Sequence, residues 1–189
     1  PGCATPEIAK QLSERLQMQI IAGQITEQIA KSALMDEKAV KAIIEKEVTK
    51  RDGWLTSLFE TRYLFPADFL IHLKKVIDTV GRHGDVIIIG LGAPYVLPPA
   101  KTFRVRLIAP LNSRVNRIMA IKSCSRDEAE RYAVTTESDR RAFIQKYFNA
   151  DVTNPADYDI LINVSSFTMA GAVETIISAF ETWKKGKNL

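Results

Sequence analysis

The chain has 189 residues, of which 46% are hydrophobic and 25% are charged, a balance typical of one soluble globular domain with its own core. No apolar run reaches the roughly 18 residues of a membrane span, and the first residues lack a signal peptide, so we expect a cytoplasmic protein without a membrane partner. The net charge of +4 is too small for the dense patch of a nucleic-acid-binding protein, but it suits a small anionic ligand. Two cysteines and two histidines provide neither a disulfide framework nor a metal cluster, so we expect no metal site.

The N-terminal residues predict a loop and then a helix. Thr5 is suited to cap that helix, Pro6 fits its first position, and Glu7 favours the positive end of the helix dipole. An apolar stripe at helical spacing follows: Ile8, Leu12 and Leu16. The segment from about residue 26 to residue 50 is predicted to be helical in two pieces.

A continuous β-branched run extends from Val86 to Ile89, after a helix that Pro66 opens. A run without polar alternation predicts a strand buried on both faces, as in a parallel sheet. Gly90 and Gly92 follow it, at the carboxyl end of the strand, where parallel sheets bind their ligands. These glycines indicate either a ligand-binding turn or a tight strand-to-helix turn without a ligand.

Further strands and helices alternate in the second half of the chain. Strands are predicted at residues 103–109 and 158–164, and helices from Asn112, from a capping box at Ser125–Glu128, from about Thr136, and across Ala172–Trp183. This alternation predicts one three-layer α/β/α domain over residues 1–189, with a mostly parallel sheet. The helical block at 122–150 is long for a simple crossover, which indicates a lid over a ligand.

Several segments occur in a recognisable order along most of the chain. They are Gly90-Leu-Gly-Ala-Pro-Tyr-Val-Leu97, Ala109-Pro-Leu-Asn-Ser-Arg-Val-Asn-Arg-Ile-Met119, Asp139-Arg-Arg-Ala-Phe-Ile-Gln-Lys-Tyr-Phe148, and Asn154-Pro-Ala-Asp-Tyr-Asp-Ile-Leu-Ile-Asn163. Together with the segment from Gly2 to Leu16, which is similar to the end of a phosphate loop and its helix, they resemble the cytidylate kinase-like family of P-loop nucleoside monophosphate kinases. The resemblance implies a P-loop kinase fold with a strand ahead of the loop. It also implies transfer of the γ-phosphoryl group of ATP, with Mg²⁺, to a CMP-type acceptor.

The same resemblance implies a set of site residues. Backbone N–H groups of the loop would cradle phosphate, as in other P-loop proteins, and these belong to Gly2, Cys3, Ala4 and Thr5. Two lid arginines, Arg140 and Arg141, would neutralise the transferred phosphoryl group. The nucleotide or acceptor would be bound by Gly90, Gly92, Arg114 and Arg117. Each arginine pair also fits a solvated helix face, with Glu137 or Asp139 as ion-pair partners of the lid arginines.

The chain departs from the family pattern at charged positions. Pro6 stands where the loop has a basic residue, and it removes one backbone donor. Leu91 occupies the place of an arginine that grips the acceptor phosphate, and Pro94 that of an acidic residue. Loss of one such contact commonly reduces the rate about 10²- to 10³-fold.

Three hypotheses for function remain open at this point. The first is an active nucleoside monophosphate kinase. The second is a pseudokinase that acts as a nucleotide-sensing or protein-interaction module, and the third is a kinase for a non-nucleotide acceptor. An apolar cluster also allows a homodimer or packing beneath the helix from Pro66: Trp54, Leu55, Leu58 and Phe59.

Overall fold

The computed structural model describes residues 1–22 and 66–187. Its helices are α1 (Thr5–Leu16), α2 (Pro66–His83), α3 (Leu111–Lys122), α4 (Arg126–Phe148) and α5 (Met169–Gly186). Its strands are β1 (Gln19–Ile21), β2 (Val86–Ile88), β3 (Val105–Ile108) and β4 (Ile160–Asn163). The helices predicted at 26–50 and the apolar cluster at 54–59 lie outside the described residues.

All strand pairs in the described part of the chain are parallel, as predicted. Strand β1 pairs with β2, with Ile20 opposite Ile87, and β3 pairs with β4, with Leu107 opposite Ile162. These pairs form two separate two-stranded sheets. Parallel strands that alternate with helices confirm the α/β class.

Strand β2 has helices on both of its faces. Ile87 packs against a cluster formed by α1 and α5, and Ile88 packs against a cluster formed by α2 and α4. Opposite faces therefore contact opposite helical layers, which is the three-layer arrangement that the alternation of strands and helices predicts. The side chains of β2 are only half-buried, because β1 is the sole hydrogen-bonded neighbour of β2 among the described strands.

Three apolar clusters form the core of the described residues. The first joins α2 to the C-terminal part of α4, and its largest members are Leu73, Ile77, Phe143, Ile144 and Tyr147. The second lies under α1 and α5, against β3 and β4, and includes Ile8, Leu12, Ile162, Val173 and Ile176. The third joins α3 to the N-terminal half of α4: Val115, Ile118, Ala129 and Ala133. Helix α4 thus packs into two clusters, one at each end.

Helix α4 begins with the predicted capping box. The Ser125 hydroxyl accepts from the backbone N–H of Glu128, and the Glu128 carboxylate accepts from the backbone N–H of Ser125. The predicted second helix start near Thr136 is wrong, because α4 runs without a break for 23 residues. Packing of Ala133 and Phe143 on either side outweighs the weak preference of the polar residues between them for a cap.

A helix that spans a membrane needs about 20 consecutive, mostly apolar residues. Among residues 1–22 and 66–187, no helix is at once long and apolar enough to cross a bilayer.

Candidate functional site

The loop before α1 is pressed against the start of α3. Gly2 has φ 81°, and a Cβ there would come within 2.7 Å of the carbonyl oxygen of Arg114. Any side chain at this position therefore collides with the backbone of α3. Ala4 also has a positive φ, of 54°, so the loop curls between Gly2 and the helix.

Helix α1 begins without a side-chain cap. Its N-cap residue is Ala4, which has no hydroxyl or carboxylate, and Thr5 is already the first helical residue. The prediction that Thr5 caps the helix is therefore wrong. The first N–H groups of a helix lack partners within the helix, so those of this turn remain suited to an anion. Pro6 contributes none.

Arg114 is a partly buried cation beside this loop. Its side chain is 13% exposed. The Nε group donates to the carbonyl oxygen of Ala109 at 3.2 Å, and Nη2 donates to a carboxylate oxygen of Glu137 at 2.9 Å. The guanidinium is thus held at two points, one on the segment after β3 and one on α4.

Arg140 reaches the same place from the middle of α4. The pKa of the Pro1 amine lies below its ordinary value, first because of burial, and then because Arg140 and Arg114 oppose its positive charge. Two arginines favour an anion near this point, while Cys3 and Glu137 offset part of their effect. Arg114 and Arg140 therefore both lie near the first residue of the loop, and their role in binding an anion stays a prediction.

Arg117 lies at the margin of this cluster. One of its Nη groups is 3.9 Å from a carboxylate oxygen of Glu7, which occupies the first turn of α1. The pair reduces the negative charge at the helix start. Both side chains are partly exposed, so the contact by itself is worth little.

Arg141 faces a different side of α4. Hydrogen bonds from Thr153 hold the pKa of Asp151 below its ordinary value, and Arg141 and Arg106 lower it further. Arg141 is therefore close to Asp151, at the segment after α4. Adjacent positions on a helix diverge, and the structure does not bring Arg141 to the loop beside Arg140 by any contact that it describes.

Of the two glycines after β2, Gly92 packs against α4 and Gly90 does not. A Cβ on Gly92, which has φ 73°, would overlap the ring of Phe148, whereas a Cβ on Gly90 meets nothing within 4 Å. Phe148 lies eight residues beyond Arg140, about 12 Å along the helix. The contact between Gly92 and Phe148 therefore places this turn beside the C-terminal end of α4, away from the loop before α1.

Three further features bear on chemistry or binding: a thiol in the loop, the acidic and thiol side chains that bind metals, and a surface groove. Cys3 is a free, partly buried thiol in the loop. In the described ranges, no three His, Cys, Asp or Glu side chains converge as metal ligands. A groove of about 690 Å³ lies at the amino ends of β3 and β4, lined by Phe103, Asp159 and Trp183 among others, and thus at the opposite end of these strands from Arg114.

The sequence indicates Glu137 as an ion-pair partner of the lid arginines, whereas in the structure Glu137 pairs with Arg114. That prediction rests on contacts between neighbouring turns of α4, whereas Arg114 lies on α3. The available sequence signal is the pair of small residues Ala129 and Ala133, through which α4 packs on α3. Small residues at helical spacing allow close packing but do not specify which polar side chains meet.

A family model and two curated relatives point to the same family. A sequence model of the cytidylate kinase-like family matches residues 1–166. The chain is 24% identical to a cytidylate kinase of Methanocaldococcus jannaschii, over 98% of this chain and 96% of that protein. It is 23% identical to a cytidylate kinase of Ignicoccus hospitalis, over 93% and 92%.

A solved structure of an uncharacterized protein from Eubacterium ventriosum has the same fold. Its TM-score with this chain is 0.70 at 17% identity, and the match covers 96% of this chain and 93% of that one. The likeness fits the P-loop kinase-like α/β architecture that the parallel strands and flanking helices form. On the family match over most of its length, the chain belongs to the cytidylate kinase-like family.

Proposed function

We propose that this chain binds ATP and a nucleoside monophosphate of the CMP type and transfers the γ-phosphoryl group between them. Family membership supports a kinase-like, nucleotide-binding transferase. The observation that carries the finer proposal is the convergence of an uncapped helix start with two arginines, Arg114 and Arg140. Because the proposed substrates are intracellular nucleotides, the proposed location is the cytoplasm.

Phosphoryl transfer depends on positioning and on charge neutralisation rather than on covalent chemistry by the protein. Backbone N–H groups of the loop Gly2–Thr5 would hold phosphate oxygens at the start of α1. Arg114 would bind the same phosphates from α3, and Arg140 would neutralise charge as the phosphoryl group moves. Arg141, on the other side of α4, is a weaker candidate for this role.

Magnesium fits this site as part of the ATP complex. Mg²⁺ keeps several waters and is bound by substrate phosphates with one or two protein oxygens. The chain offers the Thr5 hydroxyl at the start of α1, while the nearby carboxylates of Glu7 and Glu137 are paired with arginines. The ion would neutralise phosphate charge when bound, and the phosphates would supply most of its ligands.

A specific observation favours the pseudokinase alternative. Leu91, at the position where the family has an arginine that grips the acceptor, packs against the apolar cluster of α2 and α4. Pro6 also removes a donor from the first turn of α1. Both substitutions weaken phosphate contacts without disturbing the fold, which suits a module that binds nucleotide without transfer.

A transfer assay distinguishes the active kinase from the pseudokinase. Radiolabelled ATP with Mg²⁺ is incubated with CMP and, in parallel, with other nucleoside monophosphates, and the labelled diphosphate is measured. Transfer by the wild-type chain is the expected result, and binding of ATP without any transfer establishes the pseudokinase instead.

The variant Arg140→Ala tests the role of the lid arginine. Removal of one charged contact to the transferred group is expected to reduce the rate about 10²- to 10³-fold. Arg131→Ala removes another exposed arginine of α4 and is expected to retain the wild-type rate. Equal rates for the two variants would rule out a role for Arg140 in transfer.

A further inference from the structure

Arg114 is held in one orientation before any ligand arrives. Its Nε and Nη2 groups are used by Ala109 and Glu137, and neither contact uses Nη1. A guanidinium has five N–H donors in a rigid plane. When two contacts fix that plane, the remaining donors are also fixed in space.

Glu137 reaches Arg114 from the helix that carries Arg140. The two α4 residues are three positions apart and so share a face of the helix. Their stretch lies between the two buried parts of α4, around Ala133 and Phe143. The ion pair therefore joins α3 to α4 beside the loop, in addition to the apolar contacts of the two helices.

We propose that Glu137 is a positioning residue, which holds the guanidinium of Arg114 ready for the phosphate groups of a bound nucleotide. The inference rests on the proposed function, because Arg114 must itself bind phosphate. An arginine that is already oriented loses less rotational freedom when it binds, so affinity rises although Glu137 makes no contact with the ligand. A carboxylate that acted only through its charge would have the opposite effect, since it would repel the phosphates.

The test is the affinity for ATP with Mg²⁺ of three variants, measured at equilibrium. Glu137→Ala is expected to weaken binding about tenfold. Glu137→Gln is expected to stay within about threefold of the wild type, because the amide oxygen still accepts from Nη2. The control Glu130→Ala removes an exposed glutamate of the same helix and is expected to bind as the wild type does.

A double-mutant cycle shows whether Glu137 acts through Arg114. If it does, the loss of affinity in Arg114→Ala is not increased by adding Glu137→Ala. The melting temperatures provide the second readout: Glu137→Ala is expected to melt below Glu130→Ala, because it leaves Arg114 without its carboxylate partner, but to remain folded at the temperature of the binding measurement. Additive losses in the cycle would overturn the inference, and so would an affinity of Glu137→Ala equal to or above the wild type.

Failure of the inference is distinguishable from failure of the proposed function. If the wild-type chain does not bind ATP at all, both fall together. If it binds ATP and Arg114→Ala weakens binding while Glu137→Ala does not, the proposed function stands and the positioning role is wrong.

Discussion

Three consecutive residues after β2 have backbone angles that side chains disfavour. Gly90, Leu91 and Gly92 have φ of 78°, 57° and 73°. The turn carries the chain from β2 into a short helical turn at Ala93–Tyr95. Its two glycines share a backbone conformation but differ in what surrounds them, because Gly92 lies against Phe148 and Gly90 is open.

The two glycines therefore form a matched pair of substitutions. Gly90→Ala is expected to cost about 1 kcal/mol of unfolding free energy, which is the strain of a left-handed residue. Gly92→Ala adds a collision with Phe148, and overpacking costs a further 1–3 kcal/mol or so. Urea denaturation measures both, and equal losses in the two variants would show that Phe148 yields without cost.

At the level of single residues, the sequence does not predict which side chains meet. The family resemblance marks Arg114 and Arg140 as ligands of phosphate, and the structure places both near the loop, while that role stays a prediction. The prediction that Thr5 caps α1 is wrong because Ala4, a residue without a capping group, takes the N-cap position. That outcome depends on how Gly2 packs against α3, which local propensity does not include.

At the level of elements, a partly buried ion pair joins the starts of β3 and β4. The Asp159 carboxylate accepts from the backbone N–H, Nε and Nη2 of Arg104, at 2.7, 3.1 and 3.1 Å. Both side chains are less than one-fifth exposed, at 16% and 19%. Burial raises the pKa of Asp159, but the hydrogen bonds from Arg104 outweigh it, so the pKa lies below its ordinary value.

Asp159→Asn is expected to destabilise the fold by about 1.5–3 kcal/mol at pH 7, the usual range for hydrogen bonds to a charged group. A carboxylate with a depressed folded pKa contributes stability above its unfolded pKa, near 3.9, and loses it as the pH falls through the folded value. The difference between variant and wild type should therefore shrink below about pH 4. Urea denaturation at pH 7, 5 and 3 measures this dependence.

Glu174→Gln is the control for that prediction. It removes the partner of Arg15 in an exposed pair, whose side chains are 48% and 63% exposed, and such pairs are worth about 0–1 kcal/mol. A penalty for Asp159→Asn that equals the control, or that does not change between pH 7 and 3, would contradict the account of this junction.

The elements that the sequence predicts well are those with a long periodic pattern. Helices α2 and α5 and strands β2, β3 and β4 are predicted close to their positions, and the capping box of α4 is confirmed. Strand β1 is missed because Gln19–Ile21 contains only two β-branched residues, whereas β2 lies in a continuous run of four. The unbroken course of α4 could not be predicted, since it depends on two clusters formed with α2 and α3.

At the level of the whole molecule, α4 connects the site to the core. Its first half packs on α3 through Ala129 and Ala133, and its last turns pack on α2 through Phe143 and Tyr147. Glu137 and Arg140 lie between these anchors. The position of the site residues on α4 thus depends on both clusters. The lid at 122–150 and the single domain over 1–189 remain predictions.

The central claim is that the loop and its arginines bind a nucleotide. Calorimetric titration of the folded chain with ATP, with and without Mg²⁺, and then with CMP, tests it most directly. We expect magnesium-dependent ATP binding in the micromolar range, corresponding to about −8 kcal/mol. No heat with either nucleotide, on a chain shown to be folded, would contradict the claim and leave an interaction module on a kinase-like fold.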